Sequence, residues 1–140
     1  MQVEEFLERQ LLNVSKPSWY TGGEFGSVEK DKNKVDIRYA FCFPDLYDVG
    51  MSHLGIKILY ALLNRRADTW CERVFAPNVD MEQLMRQYQV PLYGLESHDP
   101  IKDFDFVGFT LQYELCYTNI LTVLSLAQIP LLTEQRTDSD

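Results

Sequence analysis

The chain has 140 residues, enough for one domain with its own core, since domains of roughly 100–150 residues are the commonest size. Its 13 basic against 21 acidic residues give a net charge of −8, the opposite of the basic footprint that drives phosphate-backbone binding, so direct nucleic-acid binding is not expected. The first residues carry Glu4, Glu5, Glu8 and Arg9 instead of the basic-then-apolar pattern of a signal peptide, and no apolar run approaches the ~20 residues of a membrane span.

Val3, Phe6, Leu7, Leu11 and Val14 recur at helical spacing and predict an amphipathic helix, read as an appendage to the main fold and ended by Lys16-Pro17. Residues 18–34 combine Gly22, Gly23 and Gly26 with Trp19, Tyr20 and Phe25 and close in a charged run. They read as a turn-rich aromatic arm or hairpin followed by a solvated loop. Residues 1–34 thus form an N-terminal helix and arm ahead of the main unit.

From Val35 the sequence VDIRYAFCF first alternates and then turns apolar on both faces, as a strand does on entering the middle of a sheet. The helix after it has Ser52 as its expected N-cap and Leu54, Ile58, Leu59, Leu62 and Leu63 as its expected buried stripe. Residues 70–77 give a short second strand. Asp80 with Gln83 forms a capping-box start for a helix carrying Met81, Leu84, Met85 and Tyr88, ended by Val90-Pro91.

PLYGLES, residues 91–97, is the expected third strand, and Asp99-Pro100 starts one helical turn. FVGFTL, residues 106–111, is the fourth. Residues 117–128 then predict an apolar helix with Ile120, Val123, Leu124 and Ala127 on one face. This alternation predicts an α/β fold, a Rossmann-like, flavodoxin-type parallel sheet over residues 35–132, with strand order 2-1-3-4 and a polar tail over 133–140. No convincing fifth strand follows the apolar last helix, so the sheet reads as incomplete. Its open edge and apolar surface predict self-association of the isolated chain.

The loop PDLYDVGMSHLG joins the first strand to its helix and supplies Asp45, Tyr47, Asp48, Gly50, Ser52 and His53 at the carboxyl edge of the sheet, where open α/β folds bind ligands. It is not a phosphate loop: Ile56 stands where G-x-x-x-x-G-K-[ST] needs lysine. Asp45 and Asp48 suit either a ligand hydroxyl or amide or simply the positive end of the helix dipole, and Gly50 and Gly55 suit either a ligand or close packing. His53, in the first turn, favours the neutral imidazole, as a hydrogen-bonded edge residue or a ligand contact. The third strand is expected to deliver Glu96 and Ser97 to the same edge, and the fourth Thr110 and Gln112, with Tyr113, Glu114, Tyr117, Thr118 and Asn119 behind them. A phospho-receiver domain is disfavoured because the third segment ends in Glu96-Ser97 instead of an acceptor aspartate. Cys42, Cys71 and Cys116 are dispersed, odd in number and without C-x-x-C spacing, and read as buried thiols of a reducing, cytoplasmic compartment.

The ordered run of KPSWYTGGEFGSV, VDIRYAFCFPDLYDVGMSHLGIKILYALLNRR, ERVFAPNVDMEQLM, PLYGLES and FDFVGFTLQYELCYTNIL resembles the N-terminal part of a family of cobalamin-binding-domain radical S-adenosylmethionine (radical SAM) proteins. The resemblance covers about Lys16 to Leu132. It implies a Rossmann-like accessory domain that holds cobalamin or shapes the substrate cavity, with Asp45, Tyr47, Asp48, Gly50, Ser52, His53, Glu96, Ser97, Thr110 and Gln112 as cofactor-binding candidates. It also implies a downstream barrel in the same polypeptide whose C-x-x-x-C-x-x-C motif holds a [4Fe-4S] cluster that works with S-adenosylmethionine. That cysteine motif is not in this sequence, and neither is the cobalt-ligating D-x-H-x-x-G motif, since His53 is followed by Leu54-Gly55. No catalytic residue is assigned to this chain; the alternative is a docking domain that keeps the fold and binds no cofactor.

Overall fold

A computed structural model describes residues 1–137; the end of the expected polar tail, 138–140, lies outside the described residues. Three parallel strands, β1 (Ile37–Phe43), β2 (Thr69–Phe75) and β3 (Phe106–Phe109), form a sheet of order β2-β1-β3, with Ile37 opposite Thr69 and Tyr39 opposite Phe106. The helices are α1 (Val3–Gln10), α2 (Tyr47–Met51), α3 (Leu54–Asn64), α4 (Val79–Tyr88) and α5 (Tyr117–Leu126). One sheet face, bearing Ala40, Cys42 and Val74, packs with residues of α1, α4 and α5. The other, bearing Phe41, Phe43, Cys71 and Phe75, packs on Ile56 and Tyr60 of α3. This is the expected α/β, Rossmann-like, flavodoxin-type layering.

The third predicted strand is corrected. Within residues 91–97 only Tyr93 makes a bridge, an isolated antiparallel one to Pro100. The segment instead lies along the outer side of β2, where Leu95 N–H donates to the Arg73 carbonyl at 2.9 Å, the Glu96 carboxylate accepts Arg73 N–H at 2.8 Å and Ser97 N–H donates to the Glu72 carboxylate at 2.9 Å. The segment predicted as the fourth strand therefore takes the place beside β1, and the order 2-1-3-4 contracts to three strands.

Helix α3 is also rotated from its expected phase. Ile56 and Tyr60 face the sheet, while Leu54, Ile58, Leu59 and Leu62 are exposed. Tyr60 sets this rotation, because its hydroxyl donates to Glu96 at 3.0 Å and accepts Val28 N–H at 2.7 Å. The N-cap is His53 instead of Ser52, whose hydroxyl donates to the Asp48 carbonyl at 2.7 Å within the preceding short helix. Asn78, not Asp80, is the N-cap of α4, and Asp80 accepts Ser15 N–H at 2.7 Å, tying the N-terminal segment to that helix.

The first helix is part of the core and not an appendage: Phe6 is 0% exposed, and Val3, Leu7 and Val14 are buried with it. In α5 the buried residues are Val123 and Leu126, followed by Ala127, with Leu124 packed against them.

The arm of residues 18–34 contains no strand. Its glycines 22, 23 and 26 all take positive φ, and at Gly22 a side chain would also overlap the Leu95 carbonyl, so the turn there depends on glycine. The arm runs over the outer edge of β2. Trp70 Nε1 donates to the Val28 carbonyl at 2.9 Å, and Lys30 Nζ gathers the carbonyls of Asn64, Arg66 and Thr69 around the carboxyl end of α3, where a cation is favoured.

Candidate functional site

The chain leaves β1 through α3 to β2 on one side, then crosses by α4 to β3 on the other. The connections therefore diverge between β1 and β3, and a crevice outside their carboxyl ends is the expected ligand position. Pro44 and Asp45 lie on one side and residues 110–116 on the other. Asp45 is fixed from three directions: its Oδ1 accepts Leu46 N–H at 2.7 Å, its carbonyl accepts Ala76 N–H at 3.0 Å, and its Oδ2 accepts the Tyr113 hydroxyl at 2.5 Å. The bond to Asp45 raises the pKa of the Tyr113 phenol, since ionising it beside a carboxylate is unfavourable. Asn119 Nδ2 donates to the Pro44 carbonyl at 2.9 Å and anchors the start of α5 to the same loop.

Thr110 continues β3 by donating its N–H to the Cys42 carbonyl at 3.1 Å, which sets it beside Phe43 in the parallel register. Among the described residues its hydroxyl is buried without a hydrogen-bond partner. The His53 ring tilts against Phe43 with centroids 5.5 Å apart, and its Nδ1 is likewise buried and unpartnered. Two orphaned polar atoms next to one phenylalanine at the carboxyl edge are uncommon, since buried polar groups nearly always find partners.

The remaining sequence-predicted residues divide. Gly50 is buried, and a Cβ there would overlap the Phe75 ring, so close packing accounts for it. Asp48, Ser52 and Gln112 are exposed. Tyr47 turns toward the arm, donating to Glu24 at 2.6 Å and stacking on Trp19. Glu96 and Ser97 lie at the outer edge of β2 and not at the crevice. The edge thus brings together Asp45, His53 and Thr110, joined by Tyr113 and Asn119, which sequence reasoning placed only within a wider polar cluster.

Beside β2 two arginines organise the carboxylates. Arg73 donates from Nε to Glu96 at 2.6 Å and from a terminal nitrogen to Glu24 at 2.7 Å. Arg38 pairs with Glu72 at 2.5 Å and with Asp99 at 2.9 Å, lies over the Phe104 ring at 4.1 Å and donates to the Ser97 hydroxyl at 2.9 Å. Burial lifts Glu96 above its ordinary pKa in spite of Arg73. Burial also pushes Glu24 upward, but hydrogen bonds from Tyr47 and Arg73 outweigh it and hold that carboxyl below its ordinary value. The signal for these networks was the adjacent Glu72 and Arg73 inside an otherwise apolar strand. The space under the arm, lined by Trp19, Tyr47, Arg73 and Leu95 among others, is only about 20 Å³, room for a single water and not a cofactor.

A fold of this order, with its divergence point and orphaned polar atoms at one edge, defines an open α/β domain with a candidate site at that edge. Residues 55–140 match the family model described as the N-terminal region of radical SAM proteins, and the chain belongs to that family. The match includes Thr110 and the loop after β3, while Asp45 and His53 precede it. No curated protein and no solved structure matches the chain. The family implies a [4Fe-4S] cluster and S-adenosylmethionine in the parent protein. Among the described residues, no group of three or more His, Cys, Asp or Glu side chains is placed to hold a metal ion, and all three cysteines are buried and free. Among them also, no helix is long and apolar enough to cross a membrane.

Proposed function

We propose that this chain is the accessory binding domain of a cytoplasmic radical SAM protein, of the cobalamin-binding type, and that it works against the catalytic domain of the same polypeptide. The observation that carries the reading is the pair of buried, unpartnered polar atoms, the Thr110 hydroxyl and His53 Nδ1, beside Phe43 at the β1–β3 divergence. With the Asp45 carboxylate they fit a ligand rich in neutral amide groups: the hydroxyl can donate or accept, the carboxylate accepts, and the imidazole nitrogen does either according to its tautomer. Cobalamin is such a ligand and would supply cobalt-centred chemistry to the parent. This chain's residues would hold its periphery, and His53, packed on Phe43 and Gly55, is read as a hydrogen-bonding group and not as the cobalt ligand.

Titrating the full-length protein with hydroxocobalamin, followed by difference absorbance, tests the reading. A saturable 1:1 change is expected, weakened about tenfold by Thr110→Val through loss of one hydrogen bond. The same substitution removes an unsatisfied buried hydroxyl, so folding stability should hold or rise by about 1 kcal/mol. No spectral change in a folded protein would sink the cobalamin reading.

A second reading, a docking domain without cofactor, is favoured by the exposed apolar residues Leu54, Ile58, Leu59 and Leu62 of α3 and Phe106 of β3. It predicts an unchanged spectrum and a catalytic domain that loses stability when this face is made polar.

A further inference from the structure

Residues 111–115 are all exposed, and Leu111, Tyr113 and Leu115 among them are large apolar or aromatic side chains. Among the described residues, one hydrogen bond joins this stretch to the loop after β1, from the Tyr113 hydroxyl to Asp45 Oδ2. The flanks are firmer. Thr110 is held by the Cys42 carbonyl, Cys116 is fully buried, and Asn119 is bonded to the Pro44 carbonyl. The loop is therefore fixed at both ends and tied at its middle across the crevice by a single phenol.

That bond occupies the Asp45 oxygen left over after Leu46 N–H has taken the other, while the Thr110 hydroxyl at the end of β3 is buried and unpartnered among the described residues. The arrangement is satisfied at Asp45 and unsatisfied at Thr110. An opened loop would free a carboxylate oxygen of Asp45.

We propose that Tyr113 and Asp45 form a clasp that closes the β1–β3 crevice, and that a ligand enters by displacing Tyr113 and donating its own hydrogen bond to the freed Asp45 oxygen. This rests on the reading of that edge as a ligand site and extends it. The incoming group is an N–H or O–H donor, as in an amide or hydroxyl, and not an anion, which the carboxylate would repel. Tyr113 is a gating residue, and its bond must break before binding, so the apparent affinity is the intrinsic one multiplied by the fraction of time the clasp is open.

The test uses the full-length protein with Tyr113→Phe, which keeps the ring and removes only the hydroxyl. Hydrogen exchange followed by mass spectrometry should show about tenfold faster exchange over residues 45–46 and 110–116, with the β2 segment unchanged. Hydroxocobalamin should bind about tenfold more tightly, the factor expected when one hydrogen bond of ordinary net strength no longer has to be broken. Tyr117→Phe, four residues on, should alter neither. Unchanged exchange in Tyr113→Phe would overturn the clasp, and weaker cobalamin binding would overturn it too, by making Tyr113 a ligand contact. Faster exchange with no cobalamin binding in either protein would leave the clasp standing and reject the cobalamin reading instead.

Discussion

The two edges of this small sheet are built on opposite principles. β2 is an edge strand, yet all seven of its residues are buried, because residues 93–97 and the aromatic arm cover its outer side and two arginines draw four carboxylates around it. β3 has no such cover: Phe106 is 56% exposed, and its outer edge meets no strand among the described residues. An unprotected strand edge beside exposed apolar side chains marks a surface that another piece of protein can use, whereas a sealed edge marks where the fold holds itself together. Stability is therefore concentrated at β2 and access at β3, and the crevice sits on the accessible side of β1.

The comparison breaks most sharply at Arg73. Arg73→Ala strips the cationic partner from Glu96, whose side chain is 0% exposed, and from Glu24, leaving only hydrogen bonds such as those from Tyr60 and Tyr47. Removing one member of a buried ion pair costs about 3–5 kcal/mol, so the variant should show that loss in urea unfolding or fail to fold. A loss below 1 kcal/mol would mean that the network contributes little to closing this edge.

Acid should loosen the same edge by a smaller amount. Glu24 and Asp99 both lie below their ordinary pKa values: at Asp99 burial pushes upward but is outweighed by Lys32 and Arg38. A depressed carboxyl contributes stability that is present above its unfolded value, here 4.5 and 3.8, and is lost as pH falls through the lower folded value. Glu96, raised by burial, acts in the opposite sense and offsets part of the loss. Trp19 stacks on Tyr47, and Trp70 is bonded to the arm, so both tryptophans report on the β2 side. Their fluorescence should change below about pH 4, ahead of global unfolding seen by circular dichroism. Coincident transitions would show that the arm does not release separately.

At the open side the expected effects on folding are smallest. Ile58→Lys and Phe106→Thr replace side chains that are each 56% exposed and should alter stability by no more than about 0.5 kcal/mol. The same changes should reduce concentration-dependent self-association of the isolated 140-residue chain in light scattering. A wild-type chain that scatters as a monomer at every concentration would show that the apolar surface is not adhesive enough to pair with itself.

Much of this was legible along the chain. The apolar run of β1, the turn at Pro44-Asp45 and the alternation of strands with helices identified a parallel α/β sheet and the carboxyl edge to which the loop after β1 belongs, because hydrophobic period and chain connectivity are local properties. Dispersed spacing of the three cysteines identified them as buried thiols for the same reason. What the sequence left open was every choice that depends on a distant partner. Residues 91–97 and 106–111 both read as strands, and tertiary structure decided between them because Glu96 and Ser97 bond to Arg73 and Glu72, which holds their segment beside the sheet instead of in it. Helix α3 is apolar nearly all round, so its period could not fix which side faces inward; Tyr60, bonded to Glu96 and Val28, 36 and 32 positions away, fixed it. Tyr113 was one tyrosine among several until the fold set Asp45, 68 positions away in sequence, within hydrogen-bond reach.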